Sequence, residues 1–327
     1  MISTYQTDNR KQLLKDKYMI KGLAITPPIL GRISIGKVVE KNGKRLPEKD
    51  DQFTITSQIQ NKDGWIKHPL DEQLRAKAAN QKLRTIPVRM IFNDPELNLR
   101  AEYSLFDRQT GRPICVGNGE TCQRLTNQGI ERHPCPSPDL CPIAQGGNCK
   151  PYGRLHVNLD ESDELGTFIF RTTGFNSIRT LAARLSYYHA ASNGLLSCLP
   201  LQLTLRGKST TQSYRTPVYY VDLTLREGVS LNDAVVQAKQ IDEQSKLAGF
   251  YQEAVDFIAR QGFANASFDN DIEDDVDVVE EFYTDENSET HLVQAESKVK
   301  AKTKLNQAEN FVHDVQQGLQ RSVSTVN

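Results

Sequence analysis

The region that organises this chain runs from Cys122 to His156 and reads CQRLTNQGIERHPCPSPDLCPIAQGGNCKPYGRLH. Its cysteines are spaced C-x12-C-x5-C-x7-C, and Pro- and Gly-rich stretches with few apolar residues separate them. Such loops cannot bury a core of their own, but they can fold back so that several side chains meet at one point. Tetrahedral zinc requires four N or S ligands at about 2.0–2.3 Å. The spacing therefore predicts a structural metal site, with zinc as the metal.

The predicted ligands are three cysteines of the central loop and one earlier cysteine: Cys135, Cys141, Cys149 and Cys122. For the fourth position, His133 and Cys115 remain open alternatives. An iron–sulfur cluster on the same thiolates, or thiols that are simply buried or free, are the competing interpretations. We expect Cys198, in the apolar stretch LLSCLPL, to be a small buried hydrophobic residue. The spacing differs from the paired C-x2-C of common zinc ribbons.

Composition indicates a globular protein of a reducing compartment. Six cysteines in 327 residues are too few for a disulfide scaffold, and 38% hydrophobic residues is an ordinary globular content. The N-terminal stretch MISTYQTDNRKQLLKDKYMI has no apolar signal region, and no run approaches the roughly 20 apolar residues of a membrane-spanning helix. We therefore expect a cytoplasmic protein with no membrane partner.

Working outward from the cysteine region, hydrophobic alternation predicts strands on both sides. They are short alternations around Ile33, then Leu83–Phe92, Ala101–Phe106, Arg154–Leu159, Gly166–Thr172, Leu201–Arg206 and Pro217–Arg226. Pro87 cannot donate to a sheet ladder, so its strand is expected at an edge. Helical spacing predicts one helix over Asn176–Ser192 and another that begins after Ser230 and runs, with an interruption at Gly249, to about Gly262.

These elements predict an α+β fold: a mixed, mostly antiparallel sheet with a few helices, a metal-stapled cysteine loop and a disordered acidic C-terminal segment. The predicted divisions are an N-terminal extension over 1–20 and a body over 21–262, with the cysteine segment at 115–156. An acidic disordered linker follows over 263–290, and a polar C-terminal helix or tail over 291–327.

The charge is unevenly distributed. Residues 269–327 hold 14 Asp and Glu against 5 Lys and Arg, a net charge of −9. The preceding 268 residues therefore carry 35 basic and 27 acidic residues, a net charge of +8. This favours a body that meets a polyanion, although an acidic linker beside a slightly basic domain explains it equally well.

Motifs of common enzymes are missing: the chain has no G-x-x-x-x-G-K-[ST], H-E-x-x-H or G-x-S-x-G. The remaining histidines are isolated in the sequence, and the paired carboxylates fall on predicted loops, where such pairs are usually solvated. No catalytic residue and no organic cofactor is predicted, although a metal-dependent hydrolase stays an alternative.

Several blocks together resemble the phage recombination directionality factor-like family. They include PILGRISIG (28–36), LRTIPVRMIFNDPELNL (83–99), CPSPDLC (135–141), NCKPYGRLHVNL (148–159) and GTFIFRTTGFNSI (166–178). The resemblance runs over about residues 25–228 and excludes the acidic tail. Members on plasmids and integrative elements are often labelled only as hydrolase or metal-binding proteins. The resemblance implies a partner recombinase whose direction the protein changes by contact, and no catalysis.

Two functional hypotheses follow. In the first, a metal-stapled interaction protein binds a site-specific recombinase and biases its conformations. In the second, the basic body binds single-stranded DNA as an accessory factor of an annealing protein, with Tyr187, Tyr188, Tyr219 and Tyr220 as possible stacking rings. Core packing of these tyrosines on a helix and a strand is the favoured alternative. The oligomeric state is open.

Overall fold

One mixed sheet of twelve strands forms the body of the protein in a computed structural model, which describes residues 28–41, 44–61, 64–159, 166–209, 217–263 and Phe282. The first six strands are β1 Ile29–Lys41, β2 Lys44–Asn61, β3 Gly64–Lys67, β4 Thr85–Met90, β5 Leu99–Phe106 and β6 Pro113–Gly117. The others are β7 Thr121–Thr126, β8 Gly129–Pro134, β9 Cys149–Leu159, β10 Thr167–Thr172, β11 Leu201–Lys208 and β12 Val218–Leu225.

The strand order is β3-β2-β1-β10-β9-β5-β6-β7-β8, with β4, β11 and β12 branching from β9. All pairs are antiparallel except β1 with β10, which run parallel. Within the described residues six helices accompany the sheet: α1 Pro69–Lys77, α2 Pro95–Asn98, α3 Ser137–Leu140, α4 Phe175–Ala191, α5 Leu231–Leu247 and α6 Gln252–Phe263. The predicted mostly antiparallel sheet with helices is confirmed.

The long strand β9 is the centre of the sheet. One of its edges pairs with β5 through residues 149–155 and then with β4 through residues 157–159. Its other edge pairs with β10 through residues 153–157. Successive side chains of a strand point to opposite faces of the sheet, so β9 contributes to both faces along its whole length.

The main hydrophobic core lies on one face of the sheet. Leu155 and Val157 of β9, Phe168 and Phe170 of β10, and Leu203 of β11 are all at most 1% exposed and belong to one cluster. Helices α4 and α5 add side chains to the same cluster, so they cover this face. Burial of large apolar side chains supplies about 1.5–3 kcal/mol each, which makes this layer the principal source of stability.

Helix α4 follows the periodicity expected for Asn176–Ser192. Ile178, Leu181, Leu185 and Tyr188 are buried, each three or four positions after the one before. Tyr188 therefore packs in the core, whereas Tyr187 is 55% exposed. Ala182, next to Leu181, is exposed.

Helix α5 begins at the predicted cap. The Ser230 hydroxyl accepts a hydrogen bond from the Asp233 amide at 3.2 Å, which satisfies one of the free N–H groups of the first turn. The helix stops before Gly249, whose φ of +87° is a left-handed conformation that favours glycine. Helix α6 then resumes at Gln252, as the interrupted pattern predicted.

The edge position expected for the strand that carries Pro87 is wrong. Strand β4 pairs with β11 through residues 85–88 and with β9 through residues 88–90, so it lies inside the sheet. Pairing with β9 starts only at Val88, and Pro87 has a neighbouring strand on one side only. A proline is tolerated there because its missing N–H removes no ladder bond on the open side.

Some predictions fall outside the described residues, namely the extension over 1–20, the tail over 291–327 and all of the acidic linker over 263–290 except Phe263 and Phe282. Phe282 itself is fully buried, so the expectation of a solvated segment fails at this residue. Among the helices described, none is long and apolar enough to cross a membrane.

Replacing Leu155 by alanine should lower the free energy of unfolding by about 2–5 kcal/mol, because it empties a fully buried position at the centre of β9. Urea denaturation measures this change. Leu140→Ala is the matched control, since Leu140 is 78% exposed and its loss should change stability by less than about 0.5 kcal/mol. Equal midpoints for the two variants would contradict the assigned core.

Candidate metal centre and a second, basic face

Three neighbouring strands bring cysteines to one face of the sheet. Cys149 of β9 lies opposite Leu105 of β5, and Leu105 lies opposite Cys115 of β6. One step along, Gly117 of β6 lies opposite Cys122 of β7. Directly opposite residues share a face, and so do residues two apart on one strand, so Cys115, Cys122 and Cys149 point the same way.

The loop after β8 returns over this face. The Cys135 amide donates a hydrogen bond to the Glu120 carbonyl at 2.8 Å, which fixes the chain against the β6–β7 turn. Helix α3 and a 3-10 turn over Pro142–Gly147 follow. The buried side chain of Ala144 anchors this turn. The loop thus carries Cys135 and Cys141 to the cysteines of the strands.

All five side chains line one small pocket, which we call the cysteine pocket: Cys115, Cys122, Cys135, Cys141 and Cys149. Its volume is about 10 Å³, roughly the room that one water-sized occupant needs. The four predicted cysteines are therefore brought together, and the open alternative Cys115 lies with them.

The other candidates lie elsewhere. His133 is 36% exposed, and its Nε2 lies 3.2 Å from the Glu131 carboxylate, outside the lining of the pocket. Cys198 packs against the main core, as expected, although it is only half-buried. In the part of the chain that the structure describes, no group of three or more His, Cys, Asp or Glu side chains is arranged so that it could hold a metal ion as it stands.

Gly117 makes the close approach of the loop possible. A Cβ at this position would lie 2.6 Å from the Cβ of Cys122 and 2.9 Å from the Sγ of Cys135. Both distances are shorter than van der Waals contact, so any larger residue would push the loop cysteine away from the strand cysteine. The glycine of the ICVGNGE stretch is thus a packing requirement of the pocket.

The electrostatics of the pocket disfavour several thiolates without a compensating cation. Burial, followed by repulsion from the other four cysteines, raises the pKa of Cys149 to about 12. Burial likewise raises the pKa of Cys115 to about 11, against the opposing effect of a hydrogen bond from Arg124. A bound divalent cation reverses this balance, because it stabilises the thiolate form of each ligand.

The opposite face of the same strands is strongly basic. Arg171 of β10, Arg154 of β9 and Arg100 of β5 are direct register partners, so three guanidinium groups form a row across three strands. Arg32 of β1 extends the row from its position opposite Ile169 of β10. We call these four residues the arginine face. The alternation of RLHVNL (154–159) predicts which side chains of this one strand share a face. The sequence alone does not show how distant strands are aligned with it.

These arginines are not ordinary solvent-exposed charges. The side chains of Arg100 and Arg154 are 9% and 12% exposed, and Arg32 is 5% exposed. Glu102 pairs with Arg154 at 3.2 Å and more distantly with Arg100 at 3.6 Å. Like charges directly opposite one another destabilise a sheet. The row therefore concentrates positive charge on one face of the sheet.

His156 also lies on this face, and its pKa reflects the positive electrostatic potential of the neighbouring arginines. It is 3% exposed, and its Nδ1 has no hydrogen-bond partner within the described part of the chain. Burial, together with the charges of Arg154, Arg100 and Arg171, lowers its pKa to about 3. His156 is therefore neutral at pH 7, and it lies away from the cysteine pocket.

A family model described as Gp3-like, recombination directionality factor-like, matches residues 30–226, more than half of the chain. Comparison with curated proteins and with solved structures gives no significant match. The matched residues include both the cysteine pocket and the arginine face.

Gly117→Ala should destabilise the protein by about 1–3 kcal/mol, because the added methyl group overpacks the contact with Cys122 and Cys135. Urea denaturation measures the change. Gly207→Ala is the control, since a Cβ there meets the Tyr219 ring at 3.4 Å, an ordinary contact. If both variants unfold at the same midpoint as the wild type, the tight approach at Gly117 is wrong.

Proposed function

Because the chain belongs to the recombination directionality factor-like family, we propose that it is a non-catalytic, metal-binding accessory protein of mobile-element DNA recombination whose partner is a site-specific recombinase. The family match carries this proposal, since it spans nearly all of the sheet. Such a protein needs no active site. It changes the outcome of recombination only by binding one conformation of its partner more tightly than another.

Zinc is the proposed occupant of the cysteine pocket. Its donor set is rich in sulfur, which suits zinc, and its size suits one ion better than a cluster of several atoms. Cys135, Cys141, Cys149 and Cys122 are the proposed ligands, with Cys115 as the alternative fourth. Arg124 lies beside Cys115 and Cys122, where its charge offsets the excess negative charge of a four-thiolate site.

The proposed role of the metal is to hold a surface for the partner. The β7–β8 hairpin carries Leu125 and Ile130 as a direct cross-strand pair, and they are 51% and 55% exposed. The same hairpin provides Cys122 to the pocket and leads directly into Cys135. Binding a metal would therefore fix the hairpin against the sheet and present this apolar pair in one orientation. Exposed apolar pairs are suitable anchors in a protein interface.

The arginine face favours a second candidate function, a single-stranded-DNA-binding accessory factor that acts with an annealing protein. A row of guanidinium groups with Tyr152 beside Arg154 and Trp65 near Arg32 combines phosphate-binding charge with aromatic rings. The Arg32 guanidinium already stacks on Trp65 at 3.8 Å, and the Arg154 guanidinium lies 5.4 Å from the Tyr152 ring centre.

The purified, reduced protein should contain about one zinc per chain. Cys135→Ser, Cys141→Ser and Cys149→Ser should each lower the zinc content and the solubility, because the ligands of a structural site act together. Elemental analysis of each variant measures the metal. Cys198→Ser is the control, since Cys198 packs on the main core away from the pocket. Full zinc occupancy in all three pocket variants would rule out the proposed site.

In a recombination assay with the recombinase of its own element, the protein should change the direction or efficiency of strand exchange in proportion to its occupancy. The effect should saturate near a fixed stoichiometry, because the protein binds and does not turn over. Replacing Leu125 and Ile130 by serine should weaken the effect without changing zinc content. Val236→Ser, at a 57% exposed position on α5, is the control and should have no effect.

Three results distinguish the alternatives. Metal-dependent hydrolysis of nucleic acid at trace protein concentrations would show that the protein is a hydrolase, and the proposal of a non-catalytic accessory protein would be wrong. Unchanged recombination, together with single-strand binding that weakens steeply with salt and speeds annealing, would favour the second candidate. An equal effect of the hairpin and Val236 variants would remove the hairpin from the interface.

A further inference from the structure

Strand β8 forms one edge of the sheet, next to the cysteine pocket. Among the described strands, β3, β8 and β12 each pair with one neighbour only. Strand β3 has four residues, whereas β8 has six. The edge of β12 is covered by helix α4, because the Ser177 hydroxyl accepts a hydrogen bond from the Val221 amide at 3.1 Å. Of these three edges, β8 is therefore the longest whose backbone is bound by no described helix or strand on its outer side.

One backbone hydrogen bond fixes which residues of β8 face outward. The Cys135 amide donates to the Glu120 carbonyl at 2.8 Å, and these two residues continue the register of β7 with β8. Hydrogen-bonded pairs alternate along an antiparallel ladder, so every second residue of β8 bonds to β7. The amides and carbonyls of Ile130 and Arg132, at the intervening positions, therefore point away from the sheet. Pro134, which has no amide hydrogen, occupies the next outward position.

The side chains of this edge combine an apolar group with a cation. Ile130 is 55% exposed and lies opposite the similarly exposed Leu125 of β7. Arg132, two residues further along, is exposed on the same face of the strand. Its guanidinium lies 3.5 Å from the Thr121 hydroxyl and forms no ion pair with a described residue. A strand added at this edge would therefore meet an apolar side chain and, two positions away, a positive charge.

A second copy of β8 fits this edge poorly. Antiparallel pairing matches outward residues with outward residues, so a symmetric pair is centred on Ile130, Glu131 or Arg132. A pair centred on Glu131 places two carboxylates directly opposite one another, and a pair centred on Arg132 does the same with two guanidinium groups. Like charges at such positions destabilise a sheet. A pair centred on Ile130 uses only residues 129–131, because the hairpin turn occupies the positions before them.

We propose that the outer edge of β8 binds an extended segment of the partner recombinase, which joins the sheet as a further strand. The backbone of Ile130 and Arg132 supplies the hydrogen bonds, and the segment carries an apolar residue beside Ile130 and an acidic residue beside Arg132. The inference rests on the proposed function, because the edge is continuous with the apolar pair of Leu125 and Ile130 that meets the recombinase. Arg132 and Pro134 oppose unselective pairing with other strands.

Proline at position 132 tests the backbone contribution. Arg132→Pro removes an amide hydrogen that points outward and breaks no bond between β7 and β8, and the strand already carries Pro134 at an equivalent position. Arg132→Ala is the matched control, since it removes the same side chain and keeps the amide. Urea denaturation should give the two variants the same midpoint. Biolayer interferometry then measures the affinity of each full-length protein for the recombinase of its own element.

Arg132→Ala should bind the recombinase about two- to threefold more weakly than the wild type, because it loses an exposed ion pair. Arg132→Pro should bind about tenfold more weakly still, because a carbonyl of the partner segment loses its hydrogen bond. Equal affinities of the two variants would overturn strand addition and leave the recombinase as the partner. A wild-type protein that does not bind the recombinase would overturn the proposed function and this inference together.

Amide hydrogen exchange, resolved to single residues by mass spectrometry, tests the same edge without a substitution. In the free protein the amides of Ile130 and Arg132 should exchange faster than those of Glu131 and His133, which bond to β7. Bound recombinase should slow the first two at least about tenfold, while Glu227, in an exposed turn, stays fast. Equal protection of all these β8 amides in the free protein, or unchanged exchange of Ile130 and Arg132 in the complex, would overturn strand addition alone.

Discussion

The pairing of β9 with β5 on one edge and β10 on the other is the constraint on which the rest of the structure depends. Because successive residues alternate between faces, this single register places Cys149 in the cysteine pocket and Lys150 beside Phe282. It also places Leu155 in the main core and Arg154 in the arginine face. A slip of one residue in this pairing would exchange the two faces and destroy all of these sites together.

The elements with strong local signals could be predicted from the sequence. Helix α4 follows the spacing of Ile178, Leu181 and Leu185, and helix α5 begins at its Ser230 cap, because helix formation is governed by neighbours within one or two turns. The cysteine spacing identified residues that do meet in one pocket. The parallel contact of β1 with β10 joins residues about 140 positions apart, and nothing local specifies it.

The same reason explains why the arginine face was missed. Arg100, Arg154 and Arg171 lie in three separate stretches of sequence, and only the register of three strands brings them side by side. The edge position predicted for the strand of Pro87 was wrong because one proline was taken to describe the whole strand. Strand β4 pairs with β11 over residues 85–88 and with β9 over residues 88–90, so Pro87 has a neighbour on one side although the strand lies inside the sheet. The net charge of +8 over the first 268 residues indicated an excess of basic residues, but it did not indicate where in the fold they lie.

X-ray absorption at the zinc K edge, on the full-length protein purified under reducing conditions, tests most directly whether the cysteine pocket is a structural metal site. We expect four sulfur neighbours at about 2.3 Å, from the strand cysteines and the loop cysteines together. A folded protein that contains no zinc, or a zinc ion surrounded mainly by oxygen and nitrogen, would contradict the account.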